Sequence, residues 1–131
     1  MITLRLLRAD VPTRYPTLKL YIVNLRGDVP FLARRIHDNA EDLSSFKHSP
    51  REDLRELSVE AAHFHGRSLY MALETYDGEK VMYGRGYPYF QDAKCTRAVT
   101  YIRDAFAAKA AERLLARNAL ALYGIDSARK S

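Results

Sequence analysis

The residues with the most chemical character lie close together between Lys80 and Phe90, in the stretch KVMYGRGYPYF. Alternation puts Val81, Tyr83, Arg85, Tyr87 and Tyr89 on one side of an extended strand. Tyrosine rings with a guanidinium among them suit a wet surface that stacks flat rings or anchors a partner, rather than a buried strand. Other candidates offer less chemistry. His63 and His65 stand two apart near a helix end, so their side chains diverge and do not chelate one metal. Cys95 falls in the first turn of a helix beside Val99, where a small core residue fits. Gly84 and Gly86 form G-x-G without the third glycine or the parallel unit of a nucleotide loop. Glu52, Asp53 and Glu56 are spaced as a solvated helix face, and no serine, histidine and acid form a catalytic set. The sequence therefore reads as a recognition module without catalytic residues, metal or cofactor.

The surrounding elements must present that face. Residues 2–8 and 17–25 read as strands joined by a short polar connection, which makes them antiparallel neighbours. Asp28 and Pro30 open a helix carrying Phe31, Leu32, Ile36, Ala40 and Leu43 on one stripe. Ser49 and Pro50 open a second, with Leu54, Leu57, Ala61 and Phe64 on its core face and Gly66 at its end. Leu69, Met71 and Leu73 alternate in a third strand, and Asp77-Gly78 is a hairpin signal returning the chain into Lys80–Phe90. Asp92 then caps a helix over 93–123, uninterrupted by glycine or proline and stopped by Gly124. This gives an α+β domain over residues 1–125: a four-stranded antiparallel sheet with helices on one face, a long C-terminal helix, and a polar tail at 126–131.

Two segments carry a resemblance. Leu20-Tyr21-Ile22-Val23-Asn24-Leu25 resembles the short hexamer motif of the RNA recognition motif family, and Arg85-Gly86-Tyr87-Pro88-Tyr89-Phe90 looks like most of its longer octamer motif. The resemblance implies a ferredoxin-like sheet in which the N-terminal strand takes the place of the family's last one. It also implies single-stranded RNA as partner, with Tyr21, Tyr87 and Tyr89 stacking bases, Arg85 on a phosphate or base edge, and Lys19 and Tyr83 extending the platform. The same tyrosine face, or the long helix, equally suits a small adaptor or inhibitor that binds a protein, of the kind phages and mobile elements encode.

Charge agrees with an anionic partner. The 131 residues carry a net charge of +5 and a pI near 9.4. Residues 38–60 reverse the sign, with seven acids against three bases. A single cysteine, no apolar leader and no membrane-length apolar run point to a cytoplasmic or nuclear protein. The second half of the long helix holds more leucine than one sheet covers. Leu115 and Leu122 are therefore candidates for a homodimer interface on a continuous helix.

Overall fold

The computed structural model describes residues 2–40, 46–62 and 65–125. Its organising element is a short run, Ser58–Glu60, which forms the central strand β2 of a three-stranded sheet. Leu57, Val59 and Ala61 alternate as a strand requires, yet Leu54, Leu57 and Ala61 also fit a helical stripe. The helix over Pro50–Glu56 ends there and the chain becomes extended. On one side β2 pairs with β1, Tyr21–Ile22, and on the other with β3, Val81–Met82; both pairings are parallel. Tyr21 lies opposite Ser58, and Val59 opposite Val81.

Parallel neighbours need crossovers, and helices supply them. Between β1 and β2 run α3, Asp28–Asp38, and α4, Pro50–Glu56; between β2 and β3 runs α5, Gly66–Thr75. Val29, Leu54, Leu69 and Ala72 from these helices join Val59 and Val81 in one buried cluster. The strand order 1-2-3 runs without reversal.

The four-stranded antiparallel sheet, and with it the RNA recognition motif architecture, is overturned by this topology. Residues 2–8 are not a strand paired with 17–25 but the helix α1, Ile2–Arg8, followed by the short α2, Val11–Arg14. Thr3 and Leu7, four apart, are its buried residues, a helical spacing that the alternation had masked. Residues 69–73 belong to α5, which buries Leu69 and Ala72 at a spacing of three. Asp77-Gly78 accordingly sits in a helix-to-strand loop and not in a hairpin. The expected strand 80–90 shortens to β3, and the remainder is a loop containing the cis Tyr87-Pro88 peptide.

The long helix is broken without a helix-breaking residue. It runs as α6, Ala93–Ala105, and resumes as α7, Ala108–Glu112, which passes through a π-type turn at Arg113–Arg117 into α8, Asn118–Tyr123. Phe106 and Ala107 are extended because α5 claims the helix end: the Tyr70 hydroxyl donates to the Ala105 carbonyl and the Tyr70 ring packs on Phe106 at 4.8 Å. A tertiary contact overrides local propensity, so the expectation of a continuous helix fails. Leu115 packs against its own chain's core, and Leu122 is half-buried beside Lys19, whose ammonium donates to its carbonyl. Gly124 ends α8 in the left-handed conformation, as read from the sequence. Leu43, His63, Phe64 and the tail 126–131 lie outside the described residues.

Tyr76, fully buried at the end of α5, donates its hydroxyl to the Leu25 carbonyl at 3.1 Å. Burial first, then the Asp28 charge, raises its pKa well above the ordinary tyrosine value, against a smaller opposing effect of Arg26. In the unfolded chain this phenol ionises near pH 10, so the unfolded state loses its proton first. Stability is therefore expected to be intact below about pH 10 and to fall as pH rises above it. Urea midpoints measured from neutral to strongly alkaline pH check this. Tyr76→Phe should cost about 1 kcal/mol at neutral pH and flatten the alkaline decline; an unchanged alkaline decline would place its origin elsewhere.

Candidate functional site

In parallel α/β sheets the side chains that do chemistry gather beyond the carboxyl ends of the strands, where loops can converge. Here β1 runs into Asn24, Leu25 and Arg26, three consecutive residues at positive φ of 60°, 49° and 46°. Left-handed backbone costs about 1–2 kcal/mol at each such non-glycine residue. The buried Leu25 side chain and the Tyr76 bond to its carbonyl hold the turn in place.

β2 ends in Glu60, a carboxylate only 9% exposed. Its side chain lies directly over Gly84, the second residue beyond β3: a Cβ there would stand 1.7 Å from Glu60 Oε1 and 2.0 Å from its Cγ. Glycine is required at this position by the close approach of the acid. Gly86, at φ 62°, then turns the β3–α6 loop back so that its Cα faces the Phe90 ring and Ala62. Tyr21 shares a sheet face with Glu60. Burial chiefly, then the Glu60 charge and Tyr123, push its phenol up to about 12, which keeps the hydroxyl protonated at neutral pH.

The β3–α6 loop is tied to α6 through Cys95. Arg85 Nε donates to Cys95 Sγ at 3.2 Å, and the thiol donates to the Phe90 carbonyl at 3.3 Å. Cys95 is thus a half-buried polar contact rather than the core residue expected. Arg85 also lies 5.8 Å from the centre of the Tyr87 ring.

The six residues proposed as an RNA platform do not form one. Tyr21 begins β1 and Lys19 precedes it, while Tyr83 and Arg85 follow β3, and β2 separates them. Tyr83 is half-buried against the core, with its hydroxyl 3.5 Å from the Cys95 carbonyl, and burial raises its pKa. Tyr87 and Tyr89 are 69% and 86% exposed on a loop rather than aligned on a strand. Sequence reasoning passed over Glu60 because it counted the acid in a helix. The available signal was the Leu57-Val59-Ala61 alternation, and Gly84 was noticed only as half of a G-x-G.

No protein-family model matches this sequence, and no curated protein sequence does. Solved structures do match. The chain superposes on 5-carboxyvanillate decarboxylase from Sphingomonas paucimobilis with a TM-score of 0.80 at 19% identity, over 93% of this chain and 38% of that one. It superposes on 2,6-dihydroxybenzoate decarboxylase from Rhizobium with a TM-score of 0.81 at 15% identity, over 95% of this chain and 40% of the other. A dihydroxybenzoic acid decarboxylase from Polaromonas sp. JS666, solved with bound manganese and the inhibitor 2-nitroresorcinol, gives 0.81 at 15% identity over 94% and 39%. The chain therefore has the fold of a part of these decarboxylases, spanning about two fifths of their length.

That likeness, with the parallel sheet, corrects the functional expectation as well as the fold. The RNA-binding or adaptor module with no enzymatic character, and single-stranded RNA as its partner, are set aside. Manganese favours several carboxylate or imidazole ligands together. Among the described residues no three His, Cys, Asp or Glu side chains converge to hold a metal. The described residues do not fit such an ion. No helix among them is long and apolar enough to cross a membrane.

Proposed function

We propose that the chain forms the strand-end portion of a β/α-barrel enzyme that removes carbon dioxide from a hydroxylated aromatic acid. The observation that carries this reading is Glu60, held buried at the carboxyl end of the central parallel strand over Gly84. Unreversed strand order with helical crossovers is the order of a barrel segment, and a barrel's chemistry sits at that end. The fold likeness to decarboxylases supports the reaction class.

Decarboxylation of such an acid needs a proton on the ring carbon that bears the carboxylate. The carbon–carbon bond then breaks, its electron pair returns to the ring, and carbon dioxide leaves. Glu60 is placed to deliver that proton as general acid and to recover it from water. The neutral Tyr21 hydroxyl beside it can donate to a substrate oxygen. Arg85, on the loop beyond β3, offers a guanidinium fork to an anionic group of the substrate. The single cysteine Cys95, a free thiol, suits a reducing compartment.

Carbon dioxide release from 2,6-dihydroxybenzoate and 5-carboxyvanillate, compared with heat-denatured chain, tests the proposal. Release above the blank is expected, falling about 100-fold with Glu60→Gln. Arg85→Met should raise KM more than it lowers kcat. No release from either acid by folded chain would overturn the reading.

A further inference from the structure

At the opposite end of the sheet from Glu60, a concavity of about 680 Å³ opens between the strand entrances and the C-terminal helices. Lys19 precedes β1, Ser58 begins β2 and Lys80 precedes β3; Lys109, Arg113 and Arg117 face them from α7 and the π-type turn. Five cations line this cleft against two carboxylates, those of Glu79 and Glu112. Each carboxylate is already engaged: Glu79 with Arg113 at 3.4 Å, and Glu112 with Arg117 at 2.8 Å.

The lining therefore keeps three more cations than carboxylates. Lys80 pairs with the exposed Glu56, at 3.6 Å, which stands outside the lining. Lys19 donates to the neutral Leu122 carbonyl, which fixes its ammonium without neutralising it. Below them lie two buried polar residues, Ser58 at 4% exposure and Asn118 at 6%. A concave wall of predominantly positive charge over a poorly solvated floor concentrates potential on what enters. The volume is that of a small-molecule site.

We propose that this cleft binds a small polyanion, with one anionic group between the strand-side ammoniums of Lys19 and Lys80 and another against Lys109 and Arg117. Phosphate esters and polycarboxylates share that chemistry. The opposed banks of cations favour a ligand with two separated charges over a single-charge anion. The site is independent of the Glu60 region, so the two readings stand or fall separately.

Calorimetric titration of the 131-residue chain at low salt with inorganic pyrophosphate, with citrate and with chloride as the single-charge control tests this. Pyrophosphate or citrate should bind while chloride does not, and the tighter of the two identifies the phosphate or the carboxylate class. The double variant Lys109→Gln, Arg117→Gln should weaken binding about tenfold or more, since charge-assisted contacts are lost. Arg34→Gln, which removes a cation paired with Asp38 on α3, should leave it unchanged. Lys80→Gln serves as a second variant if the double one is misfolded by circular dichroism. Absence of binding by both polyanions, or equal binding by the wild type and the cleft variants, overturns the proposal.

Discussion

Asn118→Leu is expected to destabilise the chain by about 3 kcal/mol, because the buried Val81 carbonyl and the part-buried Gly78 carbonyl lose their donor together. In a parallel sheet, successive carbonyls of a strand point to opposite sides. Those of Lys80 and Met82 accept from Val59 of β2 and from Ala61 just after it, at 2.9 and 2.8 Å, so the Val81 carbonyl faces the free edge. Asn118 Nδ2 meets it there at 2.6 Å and the Gly78 carbonyl at 2.8 Å. The adjacent amide is met in a related way. In the π-type turn the Asn118 backbone N–H reaches five residues back to Arg113, which frees the Leu114 carbonyl to accept from Tyr83 N at 2.6 Å. The last helices thus complete the exposed edge of β3, which would otherwise be open to pairing with another chain. Leucine keeps the branched shape without the amide, so a cavity does not account for the loss. Urea unfolding should show it, with a melting temperature lowered by roughly 10 °C. A variant within about 1 kcal/mol of the parent would mean that water replaces the amide at this edge.

The same contacts explain what could be read from the chain and what could not. Helix starts with strong local chemistry were legible: Pro50 opens α4, and Gly124 closes α8. A first helix was expected from Asp28, and α3 begins there. The strands were not legible because they are only two or three residues long. Alternation over so short a run is indistinguishable from helical spacing, and residues 2–8 and 69–73, whose alternation looked stronger, are helices that bury residues three or four apart. The tyrosines of 83–89 misled for a related reason. Aromatic residues on an apparent strand suggested a stacking face, but the strand ends at Met82 and the rings scatter between the core and a solvent-facing loop. Parallel pairing depends on contacts distant in sequence, such as Tyr21 opposite Ser58, for which no local turn signal exists.

Gly84→Ala should have the most informative effect at the candidate site. The added methyl would occupy the place of the Glu60 side chain, within 2.2 Å of its Oε1, Cγ and Cδ. The whole side chain, and not merely its tip, must move, although Glu60 sits in a strand whose three residues are all buried. Overpacking of this kind costs about 1–3 kcal/mol. It should also displace the acid from the strand end, lowering carbon dioxide release as far as Glu60→Gln does. A double-mutant cycle separates this contact from any general loss of backbone freedom at position 84. In a Glu60→Ala background the space is vacant, and Gly84→Ala should then cost less than about 0.5 kcal/mol, so that the two substitutions couple by at least about 1 kcal/mol. Equal costs in the two backgrounds would show that the glycine answers to backbone conformation alone. The same result would remove the argument that Gly84 exists to seat the carboxylate.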